Sequence, residues 1–193
     1  MGLDGHGVRT LIGTSGCSLR CRYCLNPQSW GENTAVTWYT PQALYETVRC
    51  DDLYFQATGG GLTFGGGEPL MHMQGIARLA QLCPDSWTLW AETSLYVRPE
   101  QIILAQQVFH HFLVDIKTTD PEIFRAYTGA DPGLVLSNLK LLLDLAGPDR
   151  ITVRLPRIPG YVTEQSRSAS AEVLQAMGIR DLDYLNYIQE VSL

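Results

Sequence analysis

The sequence predicts an α/β protein whose parallel sheet forms an open barrel of six strand–helix units. Strand-like and helix-like segments alternate along the 193 residues, and the strands have apolar centres. This alternation favours a parallel sheet with right-handed crossovers. A closed eight-fold barrel typically needs about 250 residues, so the chain is too short for one. We therefore expect an open (β/α)6 partial barrel in a single domain over residues 1–193.

The elements follow one another in a regular order. The apolar runs predict strands at residues 8–13, 61–65, 87–92, 111–116, 151–155 and 183–191. Apolar residues at helical spacing predict helices at 41–48, 70–82, 99–108, 136–145 and 163–177. Three helix starts carry an N-cap residue followed by proline at the first helical position, namely Thr40-Pro41, Asp120-Pro121 and Asp131-Pro132.

Composition excludes several classes of protein. The net charge is −6 and no dense stripe of lysine and arginine is present, which argues against a nucleic-acid partner. No run of 18 apolar residues occurs, so we expect a soluble chain that does not span a membrane. The odd number of cysteines, five, fits a reducing cytoplasm better than a disulfide framework. We expect Cys50 and Cys83 to be buried as small hydrophobic residues.

Three cysteines, Cys17, Cys21 and Cys24, lie in one short loop with the spacing C-x3-C-x2-C. Three thiolates this close can hold an iron–sulfur cluster. A [4Fe–4S] cluster normally takes four ligands, so with three cysteines one iron would keep a free coordination position for chemistry. A structural zinc site normally takes four ligands in two separated pairs, and no second pair follows at finger-like distance. The spacing therefore favours a cluster over zinc.

Polar or glycine-rich residues lie at the carboxyl ends of the first five predicted strands. Active sites of parallel α/β barrels form at the carboxyl ends of the strands, so these residues are expected to share one cavity. In chain order they are the cysteine loop, Gly65-Gly66-Gly67-Glu68-Pro69, Glu92-Thr93-Ser94, Asp115 with Lys117, and Arg154 followed by Ile158-Pro159-Gly160.

The cysteine spacing is the signature of the radical S-adenosylmethionine (SAM) enzymes, and the other motifs resemble one family among them. That family comprises the activating enzymes of glycyl radical enzymes. The resemblance runs from Asp4 to about Met177 and rests on the motifs DGHGVR (4–9), LNPQSW (25–30), the segment 59–70, LVDIK (113–117), YTG (127–129) and the segment 154–160.

This resemblance implies a role for each matching residue. Cys17, Cys21 and Cys24 would ligate the [4Fe–4S] cluster, and Asp4 would bind the substrate's glycyl loop. Lys117 would anchor the SAM carboxylate or neutralise Asp115, and Arg154 would pair with that carboxylate or with an acid. Adenine would be contacted by Tyr23 and Ile158. The methionine end of SAM would be contacted by Gly65, Gly66, Gly67 and Glu68. A monovalent cation would be bound by Glu92, Thr93 and Asp115.

The chain departs from the family pattern in several places. Gly65 stands where relatives have Ser, Glu92 replaces the usual Asp, and His6 replaces Pro. No histidine in residues 185–188 matches the one that touches SAM in relatives. No ferredoxin-type insert follows, and both ends are short. We therefore expect a minimal radical SAM domain with a shortened C-terminus.

The resemblance implies that reductive cleavage of SAM yields a 5′-deoxyadenosyl radical, which abstracts hydrogen from a glycine of a partner glycyl radical enzyme. A flavodoxin or ferredoxin would supply the electron. Three alternatives stay open from the residues. They are a stand-alone radical SAM enzyme acting on a small molecule or peptide, an iron–sulfur electron carrier or redox sensor, and, ranked last, a zinc-stabilised binding module.

Overall fold

The computed structural model of the protein describes residues 4–30 and 35–187. Its sheet contains six parallel strands in sequential order: β1 Arg9–Thr14, β2 Gly61–Gly66, β3 Thr88–Thr93, β4 His111–Asp115, β5 Ile151–Arg157 and β6 Asp181–Asn186. Within the described residues β1 and β6 each pair with one neighbour and not with each other. The predicted open, six-stranded α/β architecture is confirmed.

Seven α-helices accompany the strands in the described part of the chain. Their bounds are α1 Pro41–Val48, α2 Asp52–Thr58, α3 Met73–Ala80, α4 Pro99–Val108, α5 Pro121–Thr128, α6 Gly133–Ala146 and α7 Glu164–Ala176. Apolar side chains of helices and strands form one large core, which includes Phe55, Phe64, Leu70, Phe112 and Leu139.

Capping explains where several helices begin. The Thr40 side chain accepts a hydrogen bond from the backbone N–H of Ala43, and the Asp120 carboxylate accepts two at the start of α5. Both predicted caps are thus confirmed. At α6 the prediction was one residue early: the Asp131 carboxylate accepts from the backbone N–H of Gly133, where the helix starts after Pro132.

Other boundaries also differ from the predicted ones. Helix α2 was not predicted, and the segment predicted as one helix over 70–82 consists of a 3-10 turn, Pro69–His72, followed by α3. Strand β6 begins at Asp181, two residues earlier than predicted. The last part of the predicted strand, residues 188–191, lies outside the described residues.

The two faces of the sheet differ in polarity. Along β3, Leu89, Ala91 and Thr93 are buried on the helix side, whereas the alternating residues Thr88, Trp90 and Glu92 are half-buried on the opposite face. This period-two alternation is the side-chain geometry of a strand. The fold therefore leaves charged side chains on the face that the helices do not cover.

Cys50 and Cys83 do not have equivalent environments. The prediction that Cys50 is buried is wrong: its side chain is exposed, because it lies in a 3-10 turn between α1 and α2 where the thiol faces solvent. Cys83 is half-buried and packs against the main core.

Among the described residues, no helix has the length and apolar character needed to cross a membrane.

Candidate active site

One large cavity of about 1140 Å³ lies at the carboxyl ends of the strands. This volume lies just above the roughly 300–1,000 Å³ usual for small-molecule sites. Most residues singled out from the sequence line it: Asp4, Cys17, Cys21, Tyr23, Cys24, Gly66, Gly67, Glu68, Glu92, Thr93, Asp115, Lys117 and Arg154. Gly65 and Ile158 are not among the lining residues.

The cysteine loop is held by the end of α5. The backbone N–H groups of Arg20 and Arg22 donate to the carbonyls of Thr128 (3.2 Å) and Tyr127 (3.0 Å). The buried Leu19 side chain, 2% exposed, anchors the loop further. These contacts bring the loop that follows β1 across the top of the sheet, so that all three cysteines face the cavity.

The donor set on this loop fits an iron–sulfur cluster. Burial raises the pKa of the Cys21 thiol to about 11 and also raises the pKa of Cys17, so metal binding must displace protons there. No group of three or more His, Cys, Asp or Glu side chains in residues 4–30 and 35–187 is arranged around a single metal ion. Cluster ligands bind different irons, so three thiols from one loop suit a cluster without converging on one point.

The glycine turn after β2 packs directly on the start of the cysteine loop. The backbone N–H groups of Gly67 and Glu68 donate to the carbonyls of Thr14 (2.9 Å) and Gly16 (2.8 Å). A Cβ atom at Gly67 would lie 2.3 Å from the Gly16 oxygen, and Gly66 has a φ of +84°. Both glycines are therefore required by the fold as well as available to a ligand in the cavity.

Glu68 is the most deeply buried acid of the site, at 1% exposure. Its carboxylate accepts hydrogen bonds from the Thr93 hydroxyl (2.6 Å), from the backbone and hydroxyl of Ser94, and from the backbone N–H of Leu70. Burial raises the pKa of Glu68, and these hydrogen bonds oppose that rise. Glu68 thus joins the ends of β2 and β3.

Arg154 is the centre of a charged network on three adjacent strands. Its Nη1 atom lies 2.9 Å from Glu92 Oε1, and its Nε and Nη2 atoms contact the two oxygens of Asp115 at 2.8 and 3.2 Å. The sheet register explains the second pair, because Asp115 and Arg154 are direct neighbours on β4 and β5. The structure therefore pairs Arg154 with acids of the chain, one of the two roles expected for it.

Lys117 lies beside the same network. Its ammonium nitrogen is 3.4 Å from Asp115 Oδ2 and donates to the Tyr187 hydroxyl at 3.0 Å. Burial disfavours the charged form, but Asp115 and Tyr187 outweigh it and raise the pKa of Lys117. Asp115 has a lowered pKa because Lys117 and Arg154 overcome the effect of its burial. Tyr187 was not predicted as a site residue, since no motif marks it.

The monovalent cation that the resemblance implies does not fit this arrangement. The carboxylates of Glu92 and Asp115, which would bind the cation, are bridged by the Arg154 guanidinium. The third implied ligand, the Thr93 hydroxyl, donates to Glu68 and accepts from the backbone N–H of Leu95 at 2.9 Å. Added positive charge at this position would face Arg154 at close range.

Tyr23 and Ile158 occupy different positions around the cavity. Tyr23 lies on its wall, with ring-edge contacts to Tyr127 and Tyr161 at centroid distances of 6.3 and 5.9 Å. Ile158 is buried in a small apolar cluster with Tyr127 and Val162. Tyr23 can therefore contact a bound ring directly, whereas Ile158 supports the tyrosines behind it.

Comparison with known proteins supports a family assignment. The pattern of the Radical SAM superfamily matches residues 11–169. Two curated relatives are the pyruvate formate-lyase-activating enzyme of Staphylococcus aureus (strain USA300), 32% identical over 82% of this chain, and the (2S)-3-sulfopropanediol dehydratase activating enzyme of Klebsiella oxytoca, 25% identical over 96%. This chain covers 65% of the first relative and 78% of the second.

A solved structure, native anSMEcpe with bound AdoMet, shares the fold. Its TM-score is 0.72 at 16% identity, and the match covers 94% of this chain and 52% of that one. Radical SAM enzymes use a [4Fe–4S] cluster together with SAM. With the cysteine loop, the open parallel sheet and the family pattern in agreement, the chain belongs to the radical SAM superfamily.

Proposed function

We propose that this protein is an activating enzyme that uses SAM radical chemistry to remove a hydrogen atom from a backbone glycine of a partner glycyl radical enzyme. The observation that carries the proposal is the convergence of the cysteine loop, the glycine turn and Lys117 on one cavity. The two curated relatives, both activating enzymes, support it. The relatives are longer than the matched region, so the activity of the whole protein is part of the proposal.

Cys17, Cys21 and Cys24 would hold the [4Fe–4S] cluster and leave one iron open to SAM. When bound, such a cluster supplies the electron for reductive cleavage of SAM, which yields the 5′-deoxyadenosyl radical that takes the hydrogen atom. The chain's residues bind and orient the participants and exclude water, and no general base is required.

The charges of the cavity suit SAM, which carries a sulfonium, an ammonium and a carboxylate. Five acidic side chains line the cavity against two basic ones, so its lining favours a ligand with net positive charge. Lys117 is the basic side chain that would hold the carboxylate of SAM, because it pairs with one acid, Asp115, whereas the guanidinium of Arg154 is bound to two. Tyr23 would pack against adenine.

The size of the cavity favours a protein loop as the substrate. Its volume of about 1140 Å³ lies just above the roughly 300–1,000 Å³ usual for small-molecule sites, and Asp4 lies on its wall, where its carbonyl accepts a hydrogen bond from the Thr63 hydroxyl. Water must be excluded from a primary carbon radical, and an inserted loop would complete the enclosure. Asp4 is therefore proposed to contact the glycyl loop.

We further propose a flavodoxin or ferredoxin as the reductant and a cytoplasmic location. All five cysteines are unpaired, which suits a reducing compartment.

The test begins with the protein reconstituted without oxygen. We expect about four irons and four sulfides per chain. Replacing Cys17, Cys21 or Cys24 with Ala should abolish the cluster, whereas Cys50→Ala and Cys83→Ala serve as matched controls that keep it. Stoichiometric zinc without iron would contradict the proposal and favour the zinc module.

Activity separates the remaining alternatives. Reduced protein with SAM is mixed with glycyl radical enzymes from the same genome, and electron paramagnetic resonance should show a doublet glycyl radical signal with 5′-deoxyadenosine as product. Asp4→Ala should weaken activation without changing SAM binding. If no partner is activated while a small molecule or peptide accelerates SAM cleavage, the stand-alone enzyme is correct. A cluster that never cleaves SAM indicates an electron carrier or sensor.

A further inference from the structure

We propose that the Arg154 guanidinium is a built-in replacement for the monovalent cation, so that SAM binding by this protein needs neither potassium nor sodium. The inference rests on the proposed function and concerns the same site. It follows from three features of the chain: the bridge that Arg154 makes, the space that admits Glu92, and the charge balance of the network.

The bridge uses most of the donor capacity of Arg154. Three of its nitrogens bind carboxylate oxygens at 2.8 to 3.2 Å, two of them in a fork on Asp115 and one on Glu92. The Arg154 side chain is only 12% exposed, and those of Glu92 and Asp115 are 17% and 27% exposed. A planar fork matched to carboxylates is strong and specific, particularly where water is scarce. A metal ion bound by both acids would have to displace it.

Glycine at position 65 leaves room for the Glu92 carboxylate in the position where Arg154 holds it. A Cβ atom placed on Gly65 would lie 2.7 Å from Glu92 Oε2, closer than real Cβ contacts allow. The longer acid and the missing side chain therefore fit one another. These are also two of the positions where the chain departs from the family pattern, which has Ser and Asp. The extra methylene of Glu92 brings its carboxylate within 2.9 Å of Arg154, two strands away.

Before SAM binds, the four charged side chains in direct contact here sum to zero without any added ion. Glu92 and Asp115 contribute two negative charges, and Arg154 and Lys117 contribute two positive charges within 3.4 Å of them. Partly buried charges tolerate no excess of one sign without cost. A further cation bound by the two acids would lie beside the Arg154 guanidinium and be repelled by it, whereas the bridge already holds both acids in place.

The decisive measurement is the SAM affinity of the cluster-loaded protein by isothermal titration calorimetry. Titrations are made in potassium chloride, sodium chloride and tetramethylammonium chloride at equal ionic strength, because the last cation is too large to enter the network. We expect dissociation constants that agree within about twofold. An affinity about tenfold or more higher in potassium or sodium would overturn the inference and leave the proposed function intact.

A variant tests the role of Arg154 itself. Arg154→Gln removes the charge and leaves both acids, so SAM affinity in tetramethylammonium should fall by about tenfold or more, and potassium should restore part of it. Arg180→Gln is the matched control, because Arg180 is 70% exposed and pairs with Asp149 on the surface. If potassium does not restore any of the lost SAM affinity of Arg154→Gln, the inference that Arg154 replaces the cation is contradicted.

The two levels of failure can be told apart. If Arg154→Gln does not fold, the salt series on the unaltered protein still decides the inference. If the unaltered protein binds no SAM in any of the three salts, the proposed function fails and the inference fails with it. Potassium-dependent binding by the unaltered protein overturns the inference alone.

Discussion

The close fit between Gly65 and Glu92 predicts a measurable energetic coupling between the two positions. In Gly65→Ala the new methyl group would lie 2.7 Å from Glu92 Oε2, and the carboxylate cannot move away freely because Arg154 holds its other oxygen. Overpacking of this kind costs about 1–3 kcal/mol, offset in part by the roughly 0.5–1 kcal/mol gained when glycine leaves a strand interior. We expect a net loss centred on about 1 kcal/mol.

Shortening the acid should relieve that clash. Glu92→Asp withdraws the carboxylate by about one carbon–carbon bond, roughly 1.5 Å, which turns the 2.7 Å approach into an ordinary contact. Alone, Glu92→Asp weakens a largely buried ion pair and should cost about 1–3 kcal/mol. In the double variant the alanine methyl no longer clashes, so the combined loss should be at least about 1 kcal/mol smaller than the sum of the single losses.

The assay is urea unfolding of the four apoproteins, followed by circular dichroism and combined as a double-mutant cycle. Independent sites add within about 0.5 kcal/mol. Additive losses within that limit would refute the argument that Gly65 makes room for Glu92. They would also remove one of the three observations from which we infer that Arg154 replaces the monovalent cation.

Two further predictions concern the core and the thiols. Asn138 is buried, and its amide donates to the carbonyls of Leu95 (2.9 Å) and Val97 (2.7 Å). Asn138→Ala should therefore lower the free energy of unfolding by about 1–3 kcal/mol. A loss under about 0.5 kcal/mol, measured by urea unfolding, would contradict this prediction. Burial raises the pKa of Cys83 to about 11, and the thiolate is the form that reacts with alkylating agents. The alkylation rate of native Cys83, measured by mass spectrometry, should therefore rise with pH until about 11. At pH 8 Cys83 should react more slowly than the exposed Cys50. Equal rates at pH 8 would show that Cys83 is not protected by packing.

The sequence was sufficient for the architecture because its strands are apolar runs bounded by glycine or polar residues. It failed where burial depends on distant partners. Helix α2 has one buried residue, Phe55, next to the exposed Leu53 and Tyr54, so it lacks a readable apolar stripe. The prediction that Cys50 is buried fails for a related reason, because local composition does not show that a 3-10 turn faces solvent.

The site could be predicted in outline but not in its pairings. Strand ends identified the lining residues, because parallel strands bring their carboxyl ends to one edge. The choice between partners for Arg154 and Lys117 needed the sheet register and the side-chain lengths. Tyr187 could not be found, since it matches no motif and acquires its position only through the path of β6, which brings its hydroxyl to Lys117.

The anchoring of the cysteine loop has a consequence for biosynthesis. The loop follows the first strand, yet its backbone is fastened to the carbonyls of Tyr127 and Thr128 at the end of α5. During translation the three thiols therefore emerge long before the residues that hold them in place have been made. The loop can take its folded position only once the fourth strand and the helix after it have been made, and until then the thiols are exposed to oxidation.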